Sequence, residues 1–156
     1  MKPLDILKNQ KLKQLREQYP SLPEYAIKKP KYTDKTANGL TKCIIDYLIL
    51  NGCQAERINT TGRVIDERKH VTNVVGITKV IGSMKYIPTT GTKGSADISA
   101  TIKGRSVKIE VKIGKDRQSD HQKRYQEMIE RAGGVYIIAK DFQGFYDWFK
   151  EFTSTV

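Results

Sequence analysis

Residues 92–115 read TKGSADISATIKGRSVKIEVKIGK, and their alternation leaves few folds open. Side chains along a strand point to opposite faces with period two. Ile98, Ala100 and Ile102 therefore share one face, while Asp97, Ser99 and Thr101 point away from it. In the second run Val107, Ile109, Val111 and Ile113 form the apolar row, and Ser106, Lys108, Glu110 and Lys112 the polar one. Gly104 lies between the runs, where a tight turn needs a permissive backbone. The stretch is predicted to be a β-hairpin with one apolar and one polar face.

Two registers keep both apolar rows on one side. A loop at Lys103-Gly104 pairs Ile102 with Arg105 and sets Asp97 opposite Glu110; a loop at Gly104-Arg105 sets Asp97 opposite Lys112. A three-residue loop breaks the parity of the rows. Either register gathers Asp97, Glu110 and Lys112 on the polar face. Directly opposed Cβ atoms stand roughly 4.5–5.5 Å apart. Two carboxylates that close repel unless a cation lies between them, and a hard divalent ion takes oxygen ligands in this arrangement. A nearby lysine supplies a compact charge where a phosphate would gain negative charge. The same Lys-Glu-Lys alternation also serves solubility and cross-strand pairing, so E-x-K alone decides little.

A second element follows at a fixed distance. Ser119-Asp120-His121-Gln122 is a helix opening with the spacing of a capping box, and Gln122 lies three residues before Tyr125 on the face shared with Met128, Ile129 and Ala132. The order Gly94-Ser95-Ala96-Asp97, β-turn, Glu110-Val111-Lys112 and Ser119-x-x-Gln122 resembles the PD-(D/E)xK nuclease superfamily. More narrowly it is similar to the VRR-type (VRR-NUC) nucleases, which include Holliday-junction-resolvase-like enzymes and many phage proteins. The resemblance runs over roughly residues 40–139, with Ala96 in place of the proline of the superfamily's name.

The resemblance implies an α/β domain with a restriction-endonuclease-like core, a central mixed β-sheet flanked by helices. It implies a metal-dependent DNA endonuclease, structure-specific at junctions or flaps, that leaves a 5′-phosphate and a 3′-hydroxyl. Asp97, Glu110 and the carbonyl of Val111 would hold Mg²⁺, with Mn²⁺ as a substitute. Lys112 would orient the nucleophile or stabilise developing charge, and Gln122 would position water or backbone. Arg57, Asn59, Lys93 and Lys108 are the candidate DNA contacts. DNA is the expected partner, a homodimer is left open, and the setting implied is the cytoplasm of a prokaryotic or phage-infected cell. One departure counts against catalysis. The first family helix carries a glutamate near its start, and the matching position falls at Ala37 or Asn38. Asp46 lies in that helix but out of phase with Leu40, Ile44 and Leu48, and the role is not carried to it. The alternative is a non-catalytic nucleic-acid-binding module on a degenerate nuclease fold.

Charge agrees with a polyanionic partner. The 156 residues hold 28 Lys and Arg against 17 Asp and Glu, a formal net charge of +11. No apolar run approaches the ~20 residues of a membrane span, and no membrane partner is expected. Cys43 and Cys53 read as small buried hydrophobes, and His70 and His121 stand apart, so neither a zinc site nor a Ser-His-Asp triad is indicated.

The rest of the chain reads in order. Residues 1–36, with four of the five prolines, form a basic extension ahead of a domain at 37–156; Leu4, Leu7, Leu12 and Leu15 suit one short helix there, and the extension is either a DNA-contacting arm or a tail packed on the domain. Leu40, Ile44, Tyr47 and Leu48 predict a helix stopped at Asn51-Gly52. Gln54 to Ile58 predicts a strand, followed by a turn at Asn59-Thr60-Thr61-Gly62. Residues 64–88 are apolar and basic by turns and suggest extended structure, a ribbon beside the cleft. A polar loop, Thr89 to Gly94, then enters the Asp97 strand. Val135 to Ala139 predicts a buried strand, and Phe145, Trp148, Phe149 and Phe152 a C-terminal helix with its aromatics in the core.

Overall fold

A two-residue turn at Lys103-Gly104 sets the centre of the sheet. Both residues have positive φ, 46° and 78°, the signature of a turn whose twist matches two antiparallel strands. It joins β6 (Ile98–Ile102) to β7 (Arg105–Val111) with Ile102 opposite Arg105 and Ile98 opposite Ile109. Of the two registers open from the sequence, this is the one that continues to Asp97 opposite Glu110.

The computed structural model describes residues 1–59, 62–89 and 91–155. Thr60, Thr61 and Thr90, which belong to the turn expected at Asn59–Gly62 and the loop expected at Thr89–Gly94, lie outside the described residues. The chain divides into two units, Met1–Ile58 with Gly94–Val156, and Asn59–Lys93. Residues 1–36 belong to the first unit, and packing ties their helix to it. Helix α1 (Pro3–Gln18) inserts Leu7, fully buried, into the core of the first unit, with Leu4 packed against the same cluster.

The first unit is an α/β fold. Its four-stranded mixed sheet has the order β1-β6-β7-β8, with β1 (Gln54–Arg57) antiparallel to β6 and β8 (Val135–Ala139) parallel to β7. One face of the sheet carries Ile98, Ala100, Ile102, Val107, Ile109 and Val111, all buried. Against it lie α2 (Ala37–Leu50), which contributes Leu40, Ile44, Tyr47 and Leu48, and α4 (Phe142–Thr155), which contributes Phe142, Phe145 and Phe149. Tyr47 meets the rings of Phe142, Phe145 and Phe149 edge-on at 5.3–6.4 Å, a geometry aromatic quadrupoles favour. Thr36 caps α2, its hydroxyl accepting from the Gly39 amide at 3.1 Å. Cys43 is buried in this core, and desolvation pushes its thiol up to about 11, as expected of a structural cysteine.

Helix α3 (Asp120–Arg131) lies on the opposite, polar face of the sheet. It is thinly anchored: Gln122, Tyr125 and Ile129 are half-buried, while Met128 and Ala132, expected inside, are exposed. Strand β8 also differs from expectation. It is an edge strand, and Ile138 keeps 40% of its surface.

The second unit is a ribbon of two short ladders, with two residues between them on each side. Strands β2 (Arg63–Asp66) and β5 (Met84–Ile87) pair antiparallel, as do β3 (Lys69–Thr72) and β4 (Thr78–Ile81). Asn73 closes the tip, its side-chain oxygen accepting from the Val75 and Ile77 amides at 3.1 and 2.9 Å. Among the described residues, no helix is long and apolar enough to cross a membrane.

Candidate active site

The polar face of the β6–β7 hairpin is exposed at Thr101 and Ser106 but buried at its far end. Glu110 retains 2% of its surface and Lys112 8%. Parity puts both on the face away from the aliphatic core, and α3 and Tyr136 close over that face. Burying a carboxylate is costly unless it is paired and hydrogen-bonded. Each oxygen of Glu110 is accounted for. Oε1 lies 3.1 Å from Lys112 Nζ and accepts from Gln122 Nε2, and Oε2 accepts from the Tyr136 hydroxyl at 3.5 Å.

Asp97 enters from the neighbouring strand. The Ile58 amide donates to its carbonyl at 2.8 Å, extending the β1–β6 ladder by one residue. Its carboxylate oxygen Oδ2 accepts from the Val111 amide at 2.9 Å. Two acids thus face one another across the strand pair, and the electrostatics record it. Burial first, and the charge of Asp97 second, raise the Glu110 carboxyl above its ordinary range, against the lowering effect of Lys112 and Tyr136. Burial alone would lower Lys112, but the carboxylates of Glu110 and Asp116 outweigh it and hold the amine above its ordinary value. Lys112 Nζ lies 3.3 Å from Asp116 Oδ2, so it is an ammonium held between two acids.

Gln122 serves two functions at once. Its backbone amide donates to Ser119 Oγ at 3.3 Å and its side-chain oxygen accepts from the Ser119 amide at 2.9 Å, which completes the capping box. Its side-chain nitrogen remains for Glu110. The start of α3 is held close by Gly94, whose φ is +81°. A β-carbon there would stand 2.5 Å from the His121 carbonyl carbon and 2.8 Å from the Gln122 nitrogen. The Gly94–Asp97 segment and the Ser119–Gln122 turn therefore pack backbone to backbone.

The other candidates scatter. Lys108 shares the polar face but gives its ammonium to Ser99 Oγ at 2.6 Å. Arg57 is at the end of β1 and its Nη2 donates to Asn38 Oδ1 at 2.9 Å. Ala37 and Asn38, the two positions considered for a further acid at the start of α2, are not acidic, and Asn38 is tied to this arginine. Asp46 is engaged elsewhere, with Tyr32 at 2.8 Å and Lys42 at 2.5 Å. Asn59 and Lys93 belong to the second unit. Two members of the cluster escaped the sequence reading. Asp116 is four residues beyond Lys112, across a turn that hides the relation. Tyr136 stands beside Lys108 in the parallel register of β8; it was legible only as the one hydroxyl in an apolar run.

The donor set suits a hard cation in part. Asp97 and Glu110 are oxygen ligands on adjacent strands, and Asp97 charge is felt at Glu110. Among the described residues, however, no group of three or more His, Cys, Asp or Glu is assembled for a metal. No family model matches the chain, and no curated protein matches it.

Proposed function

We propose that the chain is a metal-dependent endonuclease that hydrolyses DNA phosphodiesters on a restriction-endonuclease-like core, with structured DNA such as junctions or flaps as substrate. The observation that carries this reading is the connected set Asp97, Glu110, Lys112 and Gln122, with Glu110 and Lys112 buried, against a mixed sheet and in the order the nuclease resemblance requires. A surface hairpin built for solubility has no reason to bury a glutamate to 2% and a lysine to 8%.

Asp97 and Glu110, with the Val111 carbonyl, would hold Mg²⁺, and the ion when bound supplies an acidified water and a polarised phosphoryl oxygen. The chain's own groups do the rest. Gln122 and Tyr136 fix the Glu110 carboxylate by its two oxygens. The Val111 amide orients Asp97. Lys112, kept charged by two acids, faces the reacting phosphate as a fixed cation, and such a charge stabilises negative charge that grows in the transition state. Asp116, exposed over 58% of its side chain, is the partner that an incoming phosphate can displace from Lys112.

A second reading stays open because of Asn38. It is bonded to Arg57, neither it nor Ala37 supplies a third acid, and a two-carboxylate site suits a nucleic-acid-binding module that has lost cleavage. One experiment separates the readings: incubation of the purified chain with duplex, flap and four-way-junction DNA, with Mg²⁺, with Mn²⁺ and with EDTA. Cleavage of any substrate that needs metal supports the nuclease. Binding without cleavage under both ions supports the module.

A further inference from the structure

Ten of the seventeen large hydrophobics exposed among the described residues fall within residues 64–87. They lie on a ribbon of two strands, an element that is marginal in water by itself. Val74 and Val75, at the tip, keep 105% and 78% of their surface. Such a surface is matched to a partner, and its charge says which kind. Residues 59–93 contain six Lys and Arg against two Asp and Glu.

The charges are also sorted. Arg63 is opposite Ile87, Ile65 opposite Lys85, Lys69 opposite Ile81 and Val71 opposite Lys79. Paired residues share a face. Within the β2–β5 ladder Arg63 and Lys85 therefore share a face with Ile65 and Ile87, and within the β3–β4 ladder Lys69 and Lys79 share a face with Val71 and Ile81. Between the ladders Arg68 is already paired with Asp66 at 2.7 Å. Basic and apolar groups alternate along that face of each ladder.

We infer that this ribbon is a DNA-binding arm that lies in the major groove of B-form duplex DNA, its basic side chains on the phosphates and its valine tip against the bases. The major groove of B-DNA is about 12 Å wide and admits a two-stranded ribbon, whereas the deep, narrow major groove of A-form RNA does not. The two ladders with the residues between them cover 63–72 and 78–87, at most about 33 Å at ~3.3 Å per residue and so within one turn of duplex. A second copy of the chain is a poor occupant, because it would set four cations against four. The inference does not rest on the catalytic reading, since it uses none of that site's residues.

The test is made on the full chain in EDTA, so that binding is read without cleavage. Fluorescence anisotropy with a labelled 20-base-pair duplex is followed against salt for the wild type, for Lys69→Ala/Lys79→Ala/Lys85→Ala, and for Lys13→Ala/Lys28→Ala/Lys29→Ala, which removes the same charge outside the ribbon. Each lost phosphate contact flattens the slope of log K against log salt by about 0.9. The ribbon variant is expected to lose two to three units of slope and about 10²-fold in affinity at 0.1 M salt, and the control much less. Equal losses in both variants, or none in a folded ribbon variant, overturn the inference. Lysine acetylation of the wild type, read by mass spectrometry, needs no variant. Protection of Lys69, Lys79 and Lys85 by duplex DNA supports the arm. Equal protection by duplex RNA, by polyglutamate, or by raised protein concentration alone overturns it in favour of that occupant. A chain that passes these tests and never cuts DNA would refute only the nuclease.

Discussion

Gly94 and His121 approach so closely that no side chain fits between them: a β-carbon on Gly94 would stand 2.5 Å from the carbonyl carbon of His121 and 2.6 Å from its oxygen. Gly94 leads into Asp97 and His121 precedes Gln122, so this one contact brings the strand that carries the first acid against the helix that carries the amide.

Gly94→Ala should therefore cost more than its backbone conformation alone. Gly104 is the control, with a similar φ of +78° and nothing within 4 Å of an added β-carbon. Gly104→Ala pays only the left-handed penalty of about 1–2 kcal/mol. Gly94→Ala pays that and a backbone collision, for an expected loss of about 2–4 kcal/mol. Urea denaturation of both variants measures the difference. Equal losses would mean that the close approach is absent in solution.

Glu110 makes the metal-free protein sensitive to pH in a defined direction. Its carboxyl is raised in the fold by burial and by Asp97, so the folded chain holds that proton more tightly than the unfolded one. The stabilisation is fully present below the unfolded value of about 4.3 and is lost as pH rises through the folded value. Glu110→Gln has no proton to lose. The stability of Glu110→Gln minus that of wild type should rise with pH from about 4.3 upward and then level off. Urea melts in EDTA across that range supply the curve, and a difference that falls with pH contradicts the assigned environment.

How much of this was legible follows from contrast between faces. The β6–β7 hairpin was readable because its apolar and polar rows never mix and Gly104 marks the turn. A one-residue slip would expose Ile98, Ile109 and Val111 together, so the register is strongly specified. Helix α2 was readable for the same reason. The ribbon was readable only as extended structure: Arg63 shares a face with Ile65 and Lys69 with Val71, so neither face identifies itself as inner and no pairing could be chosen. The apolar run of β8 looked buried on both sides, but the strand lies at an edge, and composition alone does not separate these cases. Tyr136 and Asp116 joined the site through a parallel pairing and a turn, neither of which has a sequence period.

The amino-terminal helix is part of the body. Leu7 has no exposed surface and packs into the core with the residues of α2 and α4. Leu7→Ala should cost about 2–4 kcal/mol by the cavity it leaves, whereas an unattached tail would tolerate it. A chain lacking residues 1–18 should melt well below the full-length protein. Unchanged melting of either form would restore the reading of residues 1–36 as an appended arm.

Lys112 is the residue on which the catalytic proposal is most exposed. Its ammonium is held at 3.1 Å from Glu110 and 3.3 Å from Asp116, and those acids keep it charged. On the proposed mechanism Lys112→Ala removes a charge that acts in the transition state, so turnover should fall by ~10²–10³ with little change in DNA affinity. It also leaves Glu110 buried beside Asp97 without its cation, so thermal melting must first show the variant folded; Lys112→Arg, which keeps the charge but not the compact geometry, should fold and still cut slowly. Asp97→Asn and Glu110→Gln should stop cleavage, because an amide is a poorer ligand for a hard cation. On the same proposal both remove negative charge that would face phosphate, so DNA binding in EDTA should hold or tighten. A structural ion pair predicts the reverse pattern, with lost stability and unchanged rate per folded molecule. Wild-type turnover in folded Lys112→Ala would leave the cluster as packing and the nuclease assignment without its carrier.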